Sequence, residues 1–224
     1  MKKIALIVAG GTGSRMESDT PKQFMLLNNL PVLMHCINSF CKYDNNLELR
    51  LVLPESEMET WKQLGKQYHF KTDITVFPGG ETRFQSVKNG IQEINGSSLV
   101  AIHDGVRPLV TPETISNCFA LAEKQGTAVP VIPIPESIRK VQEQDSFAEP
   151  RSQFRIVQTP QVFQSEFLLD AYETEYDEDL TDDASVVEKA GYKIYLAEGN
   201  RENIKITDPI DLIIAETLLK HMKK

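Results

Sequence analysis

Short, nearly unbroken apolar runs alternate along this chain with stretches whose apolar residues recur every three or four positions. The runs are "IALIVA" from Ile4, "LRLVL" from Leu49, "DITVF" from Asp73, "LVAIH" from Leu99, "TAVPVI" from Thr127 and "YKIYL" from Tyr192. Continuous hydrophobicity over so few residues predicts strands buried on both faces, as in a parallel sheet. Between them Leu33, Cys36, Ile37 and Phe40 fall at i, i+3, i+4 and i+7, which gives one helix a single apolar stripe. Thr111-Pro112-Glu113 reads as an N-cap, a proline in the first helical position and an acidic first turn. Asp208-Pro209 repeats that signature before a final helix, "IDLIIAETLLKH". Strands alternating with helices in this order predict an α/β fold, a doubly wound and mostly parallel sheet. Its ligand then belongs in the crevice at the carboxyl ends of the strands.

One segment breaks the rhythm. From Pro133 to Pro160 the chain is polar, carries four prolines and lacks helical periodicity. "SIRKV" and "QFRIV" read as two short strands around "QEQDSFAEP", a hairpin arm at about 133–158 that leaves the core. Its unpaired edges predict packing against another subunit. The alternative is a plain surface loop, although ordered loops of this length are uncommon.

Composition narrows the classes. A length of 224 residues with 41% hydrophobic and 25% charged residues suits one soluble domain, 1–224. The net charge of -8 argues against broad binding to nucleic acid or an anionic membrane, while leaving room for a locally basic cleft. Cys36, Cys41 and Cys118 form no C-x-x-C pair, and His35, His69, His103 and His221 do not cluster. Free thiols in a reducing compartment are the reading, rather than a zinc site or disulfides. With no signal-peptide pattern at the start and no apolar run near ~20 residues, a cytoplasmic protein is expected.

Four stretches carry candidate chemistry. After the first strand comes "AGGTGSRM", followed by Pro21-Lys22. It lacks the third glycine of a dinucleotide fingerprint and the Gly-Lys-Ser/Thr of a P-loop. Gly10, Gly11 and Gly13 instead let backbone N–H groups converge on an anion, with Arg15 and Lys22 as cations, which suits a polyphosphate. The plainer reading is a tight turn with solvated charges. "PGGETRFQSVKNG" from Pro78 has the same grammar, and its Arg83 and Ser86 would hold a base and ribose. In "HDGVRP", Asp104 would position a ribose hydroxyl or a magnesium ion, and Arg107 would grip an anion with its fork, unless the two pair to close a turn. In "NRENIKITDP", Lys205 alternates with Ile204 and Ile206 and so faces away from them, toward the cleft or, more plainly, toward solvent.

Together "AGGTGSRM…PKQF", "GG-x-x-R-x-x-S", "HD-x-x-RP", "TPQ-x-F", "LTDDAS" and "NIKIT" resemble, in order and spacing, the 2-C-methyl-D-erythritol 4-phosphate cytidylyltransferases. The resemblance runs from Ile4 to Leu219. It implies a Rossmann-like nucleotidyltransferase fold and transfer of a cytidylyl group from CTP to a polyol phosphate, methylerythritol phosphate, with release of pyrophosphate. It further implies cytidine contacts from Ala9, Gly10, Gly11, Gly80, Glu81 and Ser86, with Asp104 and Gly105 at the ribose and metal side. Arg15 and Lys22 would stabilise charge at the α-phosphate. Lys205 and, from a partner's arm, Arg151 would position the acceptor, with Asp104, Arg107, Ser137, Thr159 and Thr181 helping to hold it. Mg2+ would be held mainly by the CTP phosphates, with Asp104 as a possible ligand, and the active form would be a homodimer.

The chain departs from the common family pattern at Glu136-Ser137, at Gly105-Val106 and at Pro150, which bears on fine substrate geometry. The nearest rival is a ribitol 5-phosphate cytidylyltransferase. Sugar-1-phosphate nucleotidyltransferases share only the first loop, and a nicotinamide-dependent reductase is disfavoured by the failed fingerprint. A non-catalytic nucleotide sensor would need cations for one set of phosphates rather than two.

Overall fold

The computed structural model describes residues 1–10 and 20–222. The chain opens with β1 (Lys2–Val8), followed by a small ribbon of β2 (Leu26–Leu27) and β3 (Leu30–Pro31), and then α1 (Val32–Tyr43). Next come β4 (Glu48–Leu53), α2 (Met58–Gln67), β5 (Thr75–Pro78), α3 (Arg83–Gly90), β6 (Ser98–Asp104), α4 (Pro112–Gln125) and β7 (Thr127–Pro133). A separate hairpin, β8 (Ile138–Gln142) and β9 (Asp145–Glu149), precedes β10 (Arg155–Val157) and β11 (Gln161–Gln164). The chain closes with α5 (Ser165–Ala171), α6 (Asp183–Lys189), β12 (Leu196–Glu198) and α7 (Pro209–Met222).

The main sheet runs β10-β7-β11-β6-β1-β4-β5, with β12 also on β7. Pairings β6-β1-β4-β5 and β12-β7 are parallel, and β11 enters antiparallel between β6 and β7. The continuous apolar runs do what a two-sided burial requires. Ala5 and Ile7 of β1 pack with Leu33, Ile37 and Phe40 of α1 and with Phe119 of α4. Ile4, Leu6 and Val8 face the other layer, formed by Phe84 and Val87 of α3 and by Leu168 and Val187 of α5 and α6. Each such aliphatic side chain contributes about 1.5–3 kcal/mol when fully buried. The sheet is therefore doubly wound, as the pattern predicts.

The ends of α4 follow the residues expected to set them, whereas at α7 Asp211 takes the part expected of Asp208. The Thr111 hydroxyl accepts from the Thr114 amide, Pro112 begins α4, and Gly126 ends it at φ 90, a left-handed cap that suits glycine. At α7 the closing carboxylate is Asp211. It accepts from the Thr207 and Asp208 amides and from the Thr207 hydroxyl.

Three expectations are corrected. The last predicted strand, from Tyr192, begins only at Leu196, because the Thr127 hydroxyl occupies the ladder before it, donating to the Lys193 carbonyl and accepting from the Tyr195 amide. The strand predicted from Asp73 starts at Thr75. In the hairpin, the second strand is Asp145–Glu149, within the stretch read as the turn, and it returns from a two-residue turn at Glu143-Gln144. "QFRIV" supplies β10 instead, because its Arg155–Val157 find open backbone on the outgoing end of β7, Val131–Pro133.

The register aligns the strand ends that matter. Val8 lies opposite Asp104, the Gly105 amide donates to the Val8 carbonyl, and the Ala9 amide donates to the Val52 carbonyl. The Gly79 amide donates to the Leu53 carbonyl. β1, β4, β5 and β6 thus deliver their following loops to one level, the carboxyl-end crevice.

Candidate active site

A cleft of about 290 Å³ opens at that level, lined by Val8, Ala9, Gly10, Lys22, Gln23, Gly80, Glu81, Thr82, Arg83, Ser86, Asp104, Val106 and Lys205. Ala9, Gly10, Lys22, Gly80, Glu81, Arg83, Ser86, Asp104 and Lys205, all singled out in the sequence, thus meet in one place. Gly11, Gly13 and Arg15 lie outside the described residues. Lys22 is carried by a single helical turn, Lys22–Phe24, which Pro21 starts and which Phe24 anchors by burial.

The loop after β5 is shaped by its own side chains. Ser86 is buried and its hydroxyl accepts from the Gly80 amide at 3.0 Å, while Thr82 caps α3 by accepting from the Gln85 amide. A Cβ on Gly80 would sit 2.2 Å from Gln85 Cγ, so the close return of this loop requires glycine. Glu81 and Gly80 are exposed at the rim of the cleft.

At the floor lies Asp104, the last residue of β6. Its Oδ1 is 3.6 Å from Arg83 Nε, and its Oδ2 is 3.2 Å from Arg107 Nε and 3.1 Å from Lys205 Nζ. Burial by itself would raise the Asp104 pKa, but the charges of Arg83, Lys205 and Arg107 outweigh it and hold the carboxyl well below the usual range. Asp104 is thus an anion that organises three cations. A divalent cation finds little room on those oxygens, which already serve three positive groups. Among the described residues no group of three His, Cys, Asp or Glu side chains is placed to hold a metal.

Beneath Asp104 lies a network of buried hydrogen bonds. The Asp104 amide donates to Thr159 Oγ1 at 3.1 Å, and Thr159 Oγ1 lies 3.0 Å from His103 Nδ1. Burial lowers the His103 pKa to about 4, so the ring is neutral. With Nε2–H donating to the Arg107 carbonyl at 3.0 Å, Nδ1 is left to accept from the Thr159 hydroxyl. Thr159, expected at the acceptor, therefore stands behind the cleft, where it fixes the backbone of Asp104. Arg107 is also committed, donating to the Asn203 carbonyl at 2.9 Å as well as to Asp104.

Lys205 differs in kind. The buried Ile206, whose amide donates to the Val106 carbonyl, pins the segment, and the Lys205 side chain stays 42% exposed. The alternation expected of a strand is present without the strand, since residues 203–206 form none.

A family model described as "2-C-methyl-D-erythritol 4-phosphate cytidylyltransferase" matches residues 3–221. A protein of that name from Bacteroides thetaiotaomicron is 50% identical over 98% of this chain and 100% of its own length. One from Porphyromonas gingivalis is 49% identical over 97% of this chain and 98% of its own. The chain belongs to this family. Solved structures agree. The 4-diphosphocytidyl-2C-methyl-D-erythritol synthase of Anaerococcus prevotii superposes with a TM-score of 0.82 at 25% identity, covering 98% of this chain and 99% of that one. The Thermus thermophilus cytidylyltransferase gives a TM-score of 0.79 at 28% identity, covering 98% of this chain and 100% of that one.

For a cytidylyltransferase, the positions of the remaining expected residues are informative. Ser137 and Arg151 are exposed at the base of the hairpin, and neither borders the cleft of its own chain. Arg151 donates to the Pro135 carbonyl. Thr181 is exposed just before α6, whose start is closed by a capping box between Asp182 and Ser185. Gly105 lies directly under the first loop, where a Cβ would come 2.8 Å from Ala9 Cβ. Sequence reading gave no role to Asp183 or Tyr172. Arg83 grips Asp183 with both nitrogens at 2.9 and 2.6 Å, and Tyr172 donates to the same carboxylate at 2.7 Å. The doubled aspartate of "LTDDAS" was the available signal.

Proposed function

We propose that this chain transfers a cytidylyl group from CTP to 2-C-methyl-D-erythritol 4-phosphate, forming 4-diphosphocytidyl-2-C-methyl-D-erythritol and pyrophosphate. An oxygen of the acceptor's phosphate attacks the α-phosphorus of CTP. A new P–O bond forms, the bond to the bridging oxygen between the α- and β-phosphates breaks, and pyrophosphate leaves with that electron pair. The nucleophile is a phosphate monoester, already anionic near neutral pH, so no strong general base is required. The obstacle is repulsion between two anions, and positioning with charge neutralisation is what catalysis needs.

The observation that carries this reading is the pairing of two lysines across one cleft. Lys22 lies beside the glycine loops that suit the nucleotide, and Lys205 lies above Asp104. Lys205 is partly exposed, so an incoming phosphate can reach its ammonium and compete with Asp104 for it. Lys22, and Arg15 by the family resemblance, take charge at the α-phosphate. Mg2+ would arrive on the triphosphate of CTP rather than on a site built by the protein, because Asp104 is occupied by three cations.

The active form in this reading is a homodimer in which each hairpin reaches the other subunit's cleft. Support comes from the hairpin itself, where Val141 and Phe147 are 74% and 53% exposed. Isolated two-stranded hairpins are marginal in water, and these side chains gain a partner in a dimer. Arg151, remote from its own cleft, would then serve the partner's acceptor site. No helix among the described residues is long and apolar enough to cross a membrane. The reducing cytoplasm suits three free thiols.

The test is pyrophosphate release from CTP with methylerythritol phosphate, with ribitol 5-phosphate and with no acceptor. Release with the first is expected. Release only with ribitol 5-phosphate would transfer the assignment to the rival activity, and CTP binding without release would indicate a sensor.

A further inference from the structure

Arg83 borders the cleft, yet its strongest contact points away from it. Both terminal nitrogens are taken by Asp183, one hundred residues later in the chain, and Nε faces Asp104 Oδ1. Asp183 is fully buried and is held a third time by the Tyr172 hydroxyl. Burial and the adjoining carboxylate both raise the Tyr172 pKa, which keeps that hydroxyl protonated as a donor. The loop leading to Asp183 is further pinned from β11. Gln161 donates to Asp182 Oδ2 at 2.7 Å and accepts from the Ala184 amide at 2.7 Å.

The chain positions on either side of this pair belong to different substrates in the reading above. Gly80 and Glu81 lie three and two residues before Arg83, and Thr181 immediately precedes the Asp182-Asp183 pair. A planar, bidentate guanidinium–carboxylate contact transmits orientation as well as charge, which a lysine ammonium does not. At its other end, Arg83 faces one oxygen of Asp104 and leaves Oδ2 for Arg107 and Lys205. Arg83 thereby sets how strongly Asp104 competes with a phosphate for Lys205.

Resting on that reading, we propose that Arg83 and Asp183 form a positioning pair that couples the two substrates. A nucleotide seated against Gly80 and Glu81 braces the loop that carries Arg83, and Arg83 in turn braces the Thr181 loop through Asp183 and the Asp104–Lys205 contact for the acceptor. Nucleotide binding then tightens acceptor binding, and by linkage the reverse holds to the same factor. Arg83 and Asp183 touch neither reacting atom.

The experiment titrates methylerythritol phosphate by calorimetry into the free enzyme and into enzyme saturated with α,β-methylene-CTP. Wild type is expected to bind the acceptor at least about fivefold more tightly with the analogue present. In Arg83→Lys, which keeps the charge and loses the fork, that gain is expected to vanish. In steady state its acceptor KM should rise by about tenfold, with CTP KM changed less than about threefold. Asp183→Asn should behave alike, and Tyr172→Phe, which removes one hydroxyl and keeps the pair, should lose part of the gain. Circular dichroism and Tm identify the variants that fold. A folded Arg83→Lys or Asp183→Asn with the wild-type gain, equal rises in both KM values, or a wild type without coupling would overturn the proposal. Should both of those variants unfold, a full gain in Tyr172→Phe would do the same. Absence of pyrophosphate release by wild type would instead sink the functional reading itself.

Discussion

The cleft and the hairpin answer the same physical problem in opposite ways. At the cleft, every charge brought out of water finds its partner within one chain. Asp104 is met by Arg83, Arg107 and Lys205, and its backbone is fixed by Thr159 over a neutral His103. The hairpin has the reverse character. Among the described residues β8 and β9 pair only with each other, and Val141 and Phe147 are exposed. In the proposed dimer, such a chain would have a site largely built before assembly and a surface that assembly completes. The two regions should therefore respond differently to mutation.

The largest effect is expected at the cleft. Lys22→Ala and Lys205→Ala should each lower kcat/KM by roughly 10²–10³ with Tm nearly unchanged, because each removes a preorganised cation and little packing. Steady-state kinetics beside a thermal melt checks this, and near-normal turnover would strip the residue of its role. Arg151→Ala sharpens the contrast. It should be as damaging alone, yet hybrid dimers of an Arg151→Ala subunit with a Lys22→Ala subunit should regain activity, since one of the two clefts is then intact. Verified heterodimers without recovery would place Arg151 outside a shared site.

Next in size is the response to acid. His103 is buried and neutral in the fold with a pKa of about 4, against an ordinary value of 6.5. Below pH 6.5 the unfolded chain takes up a proton that the folded chain refuses, so stability falls as pH drops from 6.5 toward 4. The loss from this one group is on the order of 3 kcal/mol across that window. Denaturant melts of wild type and His103→Gln at pH 7 and pH 5 measure it, and equal pH dependence in the two would remove His103 as the cause.

Smaller effects belong to the hairpin and to the loop contact. Val141→Ser with Phe147→Ser should shift sedimentation toward monomer while the melt of the sheet core moves little. An unchanged dimer would assign those side chains no part in assembly. Gly105→Ala should raise CTP KM and lower Tm, because its new Cβ would come 2.8 Å from the rigid Ala9 Cβ and must displace the backbone of the nucleotide loop.

What was legible in the sequence follows the range of the forces involved. β1, β6, α1 and the Thr111-Pro112 helix start were readable because burial pattern and capping are local properties. The hairpin was half readable. "SIRKV" forms its strand, but the alternating polar "DSFAE" carries too weak a pattern to compete on paper with "QFRIV", which β7 captures. At the site, Lys22, Asp104 and Lys205 announced themselves by position after strands or between isoleucines. The Arg83–Asp183 contact did not, because a pairing across one hundred residues is created by the fold and leaves no spacing to read.

The most direct test of the central claim is a competition. CTP is incubated with the enzyme and equal concentrations of methylerythritol phosphate and ribitol 5-phosphate, and the cytidine-linked products are resolved by mass. The account predicts 4-diphosphocytidyl-2-C-methyl-D-erythritol as the dominant product, appearing in step with pyrophosphate. Dominance of the ribitol adduct, or no cytidine-linked product at all, would contradict it.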